Sequence, residues 1–256
     1  MHPDYPIRKK FIRFHDWKPL PPLSFNWEMK PLSSARTDIR VLANGQFELT
    51  ISHDVIKGVT PAMLHWWFSR IDTIMEYQGQ MYPRYRVWHP FDHIYYQDLS
   101  HAPDGTGSAG TRRHIVEAFG ADTRYLTNII DRVVHLDDKG ILLSTEQCGI
   151  SIGLGSMLMP VPLGFSSLEH QFIPVSNGTR YESRLLIGVD SAMGKRFFNP
   201  VVRPLFIGYE MARAWLKHNV EEVGNFEFFL PALYARYNDG LPVGESDRDI
   251  LSRTRG

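Results

Sequence analysis

A histidine and a carboxylate lie four residues apart near the end of the chain, in the stretch Tyr209 to Gly224. This stretch predicts a helix because polar and apolar residues recur with a period of 3.6. One predicted face carries Met211, Trp215, His218 and Glu222, and only its last two members are polar. Side chains four residues apart lie about one turn apart, so His218 and Glu222 could ligate one metal ion. The alternative to a metal site is that His218 and Glu222 form an ordinary surface pair. Glu221 is an alternative carboxylate ligand, although it lies off this stripe.

Further candidate ligands lie on predicted strands. In Thr111 to Phe119, alternation places Glu117 on the same face as Ile115 and Phe119. A buried carboxylate must be paired, metal-bound or neutralised. The run from Tyr85 to Tyr96 contains His89 and His93, separated by Pro90, and one of these histidines is expected to point inward. Two histidines and two carboxylates suit zinc, and they could also hold Mn²⁺ or Fe²⁺.

Two more polar side chains share faces with apolar residues. His170 alternates with Leu168 and Phe172, and Tyr181 alternates with Leu185 and Ile187. The alternation predicts that the side chains of His170 and Tyr181 point toward the interior. Hydrogen-bonded core residues are the alternative interpretation for His170, for Tyr181 and for Tyr85.

The predicted elements define the fold class. Thr60-Pro61 opens a helix expected to run to about Tyr77, and a strand is expected at Gln46 to Ile51. Six further strands are predicted, with hairpin turns at Asp137 to Gly140 and Ser176 to Gly178. They are Arg84 to Trp88, Thr111 to Phe119, Tyr125 to Val134, Ile141 to Cys148, Leu168 to Ile173 and Thr179 to Ile187. The pattern predicts an α+β helix-grip fold, a curved antiparallel sheet around a long C-terminal helix with a cavity between them.

The predicted organisation is a single domain. Residues 1–35, rich in proline and aromatics, are expected to form an extended arm on the body. Residues 36–244 form the predicted domain, and residues 245–256 a flexible tail.

Composition excludes several function classes. The 28 basic residues balance 28 acidic ones, so no net field recruits nucleic acid or an anionic membrane. The lone Cys148 excludes a cysteine-rich zinc site, so a metal must sit on His, Asp and Glu. Neither a signal-peptide core nor a membrane-spanning run is present, which predicts a cytoplasmic protein. The segment Gly105 to Gly110 matches G-x-G-x-x-G, but a strand follows it and not a helix.

Four segments together resemble the 2,4-diacetylphloroglucinol hydrolase family, which includes phloretin hydrolase. They are YRVWHPFDH, RRHIVEAFG, SLEHQF and HNVEE, and the likeness covers roughly Tyr82 to Tyr234. The resemblance implies a zinc-dependent hydrolase that cleaves the carbon–carbon bond between an acyl group and a phenolic ring. It also implies a helix-grip fold like that of the birch pollen allergen and START proteins.

The resemblance assigns roles to individual residues. It implies that zinc is held by His93, Glu117, His218 and Glu222, with His93 preferred to His89 because Tyr85 precedes it by eight residues. His170 corresponds to the family's catalytic histidine, Tyr85 would bind a ring hydroxyl, and Tyr181 is a looser match. The implied partner is a small acylated phenol. The oligomeric state is left open, with a homodimer as one option.

Two other functions compete with hydrolysis. A carrier of hydrophobic phenols or polyketides would use the same cavity without a metal. A polyketide cyclase would act on a poly-β-ketone and release water. Metal content separates the carrier from the enzymes, and product mass separates cyclisation from hydrolysis.

Overall fold

The computed structural model describes residues 16–102, 106–151, 156–162, 164–192, 194–202 and 207–238. Their dominant element is one antiparallel sheet in the order β1-β2-β12-β11-β9-β8-β7-β6, with β3 on β12 and β10 on β9. Its strands are β1 Arg36–Val41, β2 Phe47–Ser52, β3 Ile56–Lys57, β6 His93–Ser100, β7 Arg112–Ala118, β8 Leu126–Asp137, β9 Gly140–Ser151, β10 Ser156–Pro160, β11 Ser166–Val175 and β12 Gly178–Ile187. A separate hairpin pairs β4 Ile74–Tyr77 with β5 Gln80–Pro83.

The helices are α1 Pro61–Phe68, α2 Arg84–Trp88 and α3 Tyr209–Asn238. A π-helical segment, Gly194–Val202, precedes α3. The long helix α3 contacts β2, β3, α1 and α2. A large antiparallel sheet that packs against a long C-terminal helix is the predicted helix-grip fold, and this prediction is confirmed. Within the described residues, no helix combines the length and the apolar character needed to cross a bilayer.

Helix α3 is predicted from Tyr209, and it continues beyond Gly224 to Asn238. Every residue from Asn219 to Phe226 is buried, so this part of the helix has no solvent-exposed face. The N-terminal segment covers its outer side. Lys30 packs against Gly224 and binds the Glu227 carboxylate at 2.6 Å, and Trp27 stacks on Phe228. The polar residues of this helix therefore face protein on every side.

The helix predicted from Thr60 to Tyr77 is shorter than expected. Its start is confirmed, since Thr60 caps the first turn and Pro61 opens the helix. It ends at Phe68, where the Ser69 amide donates to the His65 carbonyl. Gln78 and Gly79 then adopt positive φ angles of 49° and 79°, which turn the chain back into a hairpin. The apolar residues near Tyr77 belong to β4.

The strand predicted at Arg84 to Trp88 is wrong, because this segment forms α2. Pro83 precedes it with φ near −56°, a value that suits the start of a helix, and the His89 amide donates to the Tyr85 carbonyl. All five residues of the helix are buried, so no alternation of buried and exposed positions marks it as a strand. The chain becomes a strand only at His93, as β6.

The other predicted strands form, with shifted ends. Both hairpins are confirmed: Asp137 accepts hydrogen bonds from the Lys139 and Gly140 amides, and β11 pairs with β12 across Ser176 and Asn177. Five strands, β1, β3, β5, β6 and β10, have no counterpart among the predictions. The predicted tail 245–256 lies outside the described residues.

Candidate active site

Two histidine side chains from different elements converge where β6 and β7 meet α3. His93 begins β6, and its Nδ1–H donates to the Tyr85 carbonyl at 2.6 Å. His218 lies on α3, and its Nδ1–H donates to Asp92 Oδ2 at 2.9 Å. Carbonyl and carboxylate oxygens only accept, so Nδ1 carries the proton in each ring. We call Nδ1 the outer nitrogen, because it points away from the other histidine's Nε2. Both Nε2 atoms are thereby left to face the interior.

Two carboxylates complete this arrangement. Glu117 pairs with His93 in the β6–β7 register, and Glu222 follows His218 by one helical turn. His93 Nε2 lies 3.4 Å from an oxygen of each carboxylate, and His218 Nε2 lies 3.7 Å from an oxygen of each. The structure therefore brings His93, Glu117, His218 and Glu222 together, and we call them the four-residue group.

The chemistry of the four-residue group fits a divalent cation. His93 Nε2 is buried and has no hydrogen-bond partner among the described residues, although it carries a lone pair. The ligand atoms of His93, Glu117 and His218 lie within 4.8 Å of one another. Imidazole nitrogens with carboxylate oxygens are a donor set that suits zinc. A cation at their centre would give the orphaned nitrogen a partner.

The charges of the group support this interpretation. Burial raises the pKa of Glu222 to about 8, and burial also raises the pKa of Glu117. Burial opposes a charge on His218, but Glu117, Glu222 and Asp92 together raise its pKa to about 9. Two buried carboxylates thus retain a proton on the imidazole between them. A divalent cation would supply the same neutralising charge.

Asp92 belongs to the site but was not singled out by the sequence. Its Oδ2 accepts from His218 and from the Gly120 amide, and its Oδ1 accepts from the Ala121 amide. Hydrogen bonds and the two neighbouring histidines hold its pKa well below the usual range in spite of burial. Asp92 therefore stays ionised and fixes the ring orientation of His218, a common arrangement behind metal-binding histidines.

Asp92→Asn is expected to lower the zinc affinity of the protein by about 10- to 100-fold, because it weakens the bond that orients His218. A chelator competition titration measures the affinity. Asp122→Asn is the matched control, since Asp122 lies near the same loop but pairs with Arg124 at the surface. Equal affinities in Asp92→Asn and the wild type would refute this role.

His89 occupies a second position beside His218, with ring centroids 4.5 Å apart. Its Nδ1 accepts from the Asp92 amide, so its Nε2 carries the proton in the neutral form and points toward Glu221 Oε2 at 3.4 Å. His89, Asp92 and His218 also have ligand atoms close enough for a metal ion. Both histidines of the run Tyr85 to Tyr96 thus face inward.

Tyr85 adjoins the four-residue group. Its ring stacks on His93 with centroids 3.7 Å apart, and its hydroxyl donates to Glu117 Oε1 in a short hydrogen bond. Burial and the neighbouring Glu117 raise the tyrosine pKa well above the usual value, so the phenol stays protonated. The oxygen lone pairs of Tyr85 can still accept a hydrogen bond from another molecule.

His170 and Tyr181 lie in a second buried polar cluster on β11 and β12. Their ring centroids are 5.0 Å apart, and His170 also stacks on Phe68. His170 Nδ1 bonds Ser183 Oγ at 2.9 Å, and His53 Nε2 bonds the same oxygen at 3.0 Å. The Tyr181 hydroxyl has no hydrogen-bond partner among the described residues. Among the described residues this cluster makes no hydrogen bond to the four-residue group, and its rings rest against the aromatic core.

Acid is expected to destabilise the protein through the two histidines of this cluster. Burial lowers the pKa of His53 and of His170 from 6.5 to about 3. Unfolded histidine binds a proton near pH 6.5, so their contribution to stability is complete above 6.5 and is lost as pH falls toward 3. The loss is roughly 1.4 kcal/mol per pKa unit for each group.

Urea unfolding of the metal-free protein between pH 7 and 4 tests this expectation. His53→Gln should reduce the slope of the free energy of unfolding against pH, whereas His135→Gln, at an exposed site, should not. The interpretation is wrong if the His53 variant and the wild type have the same slope.

Two surface depressions accompany these clusters. A small one of about 140 Å³ reaches His218 and is lined by Phe119, Gly120, Asp122, Tyr125, Ala214, Lys217, His218 and Glu221. A larger one of about 410 Å³ lies on the opposite side of β11 and β12 from His170, where Glu169, Gln171 and Arg184 point. The larger groove contains no member of the four-residue group, so of these two depressions the small one adjoins the candidate site.

One protein family matches most of this chain. The sequence model of the family described as "DAPG hydrolase PhiG domain" matches residues 34–235. No curated protein matches the sequence. Among solved structures, Ara h 8.0201 is 9% identical and covers 73% of this chain and 97% of its own, with a TM-score of 0.43. A START superfamily protein from Mycobacterium smegmatis is 12% identical and covers 70% and 94%, with a TM-score of 0.41.

Proposed function

Because the chain belongs to the DAPG hydrolase PhiG domain family, we propose that it is a zinc-dependent hydrolase of acylated phenols. It cleaves the carbon–carbon bond between an acyl group and a phloroglucinol-type ring. Water is consumed, and a carboxylic acid and the free phenol are released. The enzyme thus belongs to the hydrolases that act on carbon–carbon bonds in ketonic substances.

One observation carries this proposal: the unpartnered Nε2 of His93 faces two carboxylates and the Nε2 of His218 in a buried site. We assign the zinc to the four-residue group. His93 is preferred to His89 because its proton lies on the outer nitrogen, whereas the His89 proton lies on the nitrogen that faces Glu221. When bound, zinc supplies a Lewis acid that polarises the acyl carbonyl and lowers the pKa of water toward about 7.

The chain's own residues must solve the leaving-group problem. Direct cleavage would expel an aryl carbanion, which is too unstable to form. A proton placed on the ring carbon that carries the acyl group converts the ring to a keto tautomer, and the substrate becomes a 1,3-diketone. The bond can then break in a retro-Claisen step, with its electron pair returning to the ring. We assign the transfer of this proton to His170.

Two tyrosines would orient the ring. Tyr85 has committed its own proton to Glu117, so its oxygen can accept a hydrogen bond from a ring hydroxyl. Tyr181 retains an unpartnered hydroxyl among the described residues and can donate to a substrate oxygen. Burial keeps both phenols protonated, since it raises both pKa values well above the usual range. The two tyrosines can therefore hold an electron-rich, oxygenated ring without adding a negative charge of their own.

The proposal is tested by incubating the zinc-loaded protein with monoacetylphloroglucinol, diacetylphloroglucinol and phloretin. Chromatography and mass spectrometry should detect one equivalent of acid for each phenol released from at least one of them. Purified protein that contains no zinc, takes up none when zinc is supplied and leaves the absorbance of all three unchanged would instead indicate a carrier. A product lighter than its substrate by one water would indicate a cyclase. The predicted cytoplasmic location, the homodimer option and the domain limits 36–244 stay predictions.

A further inference from the structure

A hollow lies over the inward face of β7, β8 and β9. Ile115, Ile129 and Cys148 are cross-strand neighbours on this face, and all three are only half-buried. Glu117, two positions beyond Ile115 on β7, is half-buried as well. Solvent reaches side chains that point into a protein only where space remains above them. The four-residue group, through Glu117, therefore lies at the edge of this hollow.

Asp131 lies on the same face of the sheet. It follows Ile129 by two positions on β8, so the two side chains point the same way. Its Oδ1 is buried and has no hydrogen-bond partner among the described residues. Thr145, opposite on β9, has one hydroxyl proton and can serve at most one carboxylate oxygen. Buried polar atoms rarely lack a partner in native proteins, so Oδ1 is a candidate for bonding another molecule.

Arg113 is opposite Asp131 on β7 but binds other groups. Its Nη2 donates to the Phe68 and Gly107 carbonyls, and its Nε lies 3.7 Å from Asp98 Oδ1. The positive charge of Arg113 still acts on Asp131 at longer range. Burial raises the pKa of Asp131 to about 6, and Arg113 opposes this rise. Near neutral pH the carboxylate is therefore ionised, and its oxygens can only accept hydrogen bonds.

Asp131 lies between the two groups to which the proposed function assigns chemistry. Glu117 and Arg113 are four positions apart on β7, which is about 13 Å of strand, and Asp131 is opposite Arg113. Beyond this position, the Phe68 carbonyl binds Arg113 and the Phe68 ring stacks on His170. An acylphenol whose acyl group lies at the four-residue group therefore extends its far edge toward Asp131.

We propose that Asp131 is a substrate-binding residue that accepts a hydrogen bond from the ring hydroxyl para to the acyl group. This inference rests on the proposed function, which brings the acyl carbonyl to the four-residue group. Tyr85 bonds Glu117 and therefore lies at the acyl end, beside a hydroxyl ortho to the acyl group. The para hydroxyl is at the opposite end of the ring, toward Asp131. The residue thus selects phloroglucinol-type rings over rings that lack this hydroxyl.

Binding of two non-hydrolysable ligands to the zinc-loaded protein tests the proposal. Ethylphloroglucinol and 2-ethylresorcinol lack the acyl carbonyl, and they differ only in the hydroxyl para to the ethyl group. Calorimetric titration of the wild type should give a dissociation constant about 10- to 100-fold lower for ethylphloroglucinol, as expected for a hydrogen bond to a charged group. Equal constants, or binding of neither ligand, overturn the proposal, and these outcomes need no variant to fold.

Asp131→Val removes the carboxylate and keeps a side chain that suits a strand. It should abolish the preference for ethylphloroglucinol and leave the zinc content unchanged. Asp98→Asn is the matched control, since it neutralises another buried carboxylate beside Arg113, and it should keep the wild-type preference. A folded Asp131→Val variant that retains the preference would contradict the inference.

The two proposals fail separately in these experiments. If the wild type prefers ethylphloroglucinol but releases no acid from monoacetylphloroglucinol, the proposed function fails and the binding role of Asp131 stands. If it releases acid but binds the two ligands equally, the hydrolase proposal stands and the role of Asp131 is wrong.

Discussion

His218→Ala is expected to abolish zinc binding and to reduce the rate of acid release by more than about 100-fold. Loss of an outer-shell partner alone costs 10- to 100-fold, and His218 is proposed as a direct ligand. The substitution also leaves Asp92 without its histidine and Glu117 and Glu222 without the imidazolium between them. Metal analysis of the purified variant and a progress curve with monoacetylphloroglucinol measure the two effects.

The control for adventitious binding is His135→Ala, which removes an exposed histidine from β8. This variant should keep one zinc per chain and the full rate. A His218→Ala variant that retains both would show that the metal, if any, lies elsewhere, and the assignment of the four-residue group would be wrong.

His170→Ala should have the opposite signature, with zinc retained and kcat lowered by about 10²- to 10⁴-fold, the range for loss of a general acid–base group. His170 lies on β11, away from the four-residue group, and its imidazole is held by Ser183. The substitution should therefore leave the zinc content unchanged. Steady-state kinetics together with metal analysis separates this result from a structural defect.

Gln171→Ala provides the neighbouring control, because Gln171 is exposed on the opposite face of the same strand. It should leave kcat and zinc content unchanged. Full turnover in His170→Ala, combined with loss of turnover in His218→Ala, would remove the proton-transfer role from His170 and leave the zinc assignment intact.

Periodicity predicted much of this architecture because the site residues lie on regular elements. Alternation identified the inward faces of β11 and β12. The 3.6-residue period identified the stripe of α3 that leads to His218 and Glu222, because the first turns of this helix still expose Arg213 and Lys217 on another side. The resemblance to a known family added the choice of His93. Regular spacing is informative where one side of an element faces the core and the other faces solvent.

The same reasoning fails where an element is buried on all sides or where the chain turns sharply. Helix α2 shows no alternation, so its aromatic and β-branched residues read as a strand. The predicted helix ends early, at Phe68, and two consecutive positive φ angles at Gln78 and Gly79 turn the residues after it into a hairpin. Asp92 lies just before β6, so no periodic pattern marks it as a buried residue. Its position next to His93, a predicted metal ligand, could have indicated it, because carboxylates often orient metal-binding histidines.

His53 and Ser183 show a different limit of sequence reasoning. His53 follows β2, and Ser183 lies within β12, which is 130 positions further along the chain. Their contact depends on the pairing of β2 with β12, where Ser183 is opposite Ile51. No local pattern encodes that register, and a serine on an apolar face usually indicates only a small core residue. The hydrogen bond between His53 and Ser183 could therefore be found only from the sheet order.

The most direct test of the four-residue group is an anomalous difference map at the zinc edge from crystals of the zinc-loaded protein. One peak is expected between His93 Nε2, His218 Nε2 and the carboxylates of Glu117 and Glu222, at about 2.0 to 2.2 Å from its ligands. A peak between His89 and Asp92, or no peak at either position, would contradict the assignment.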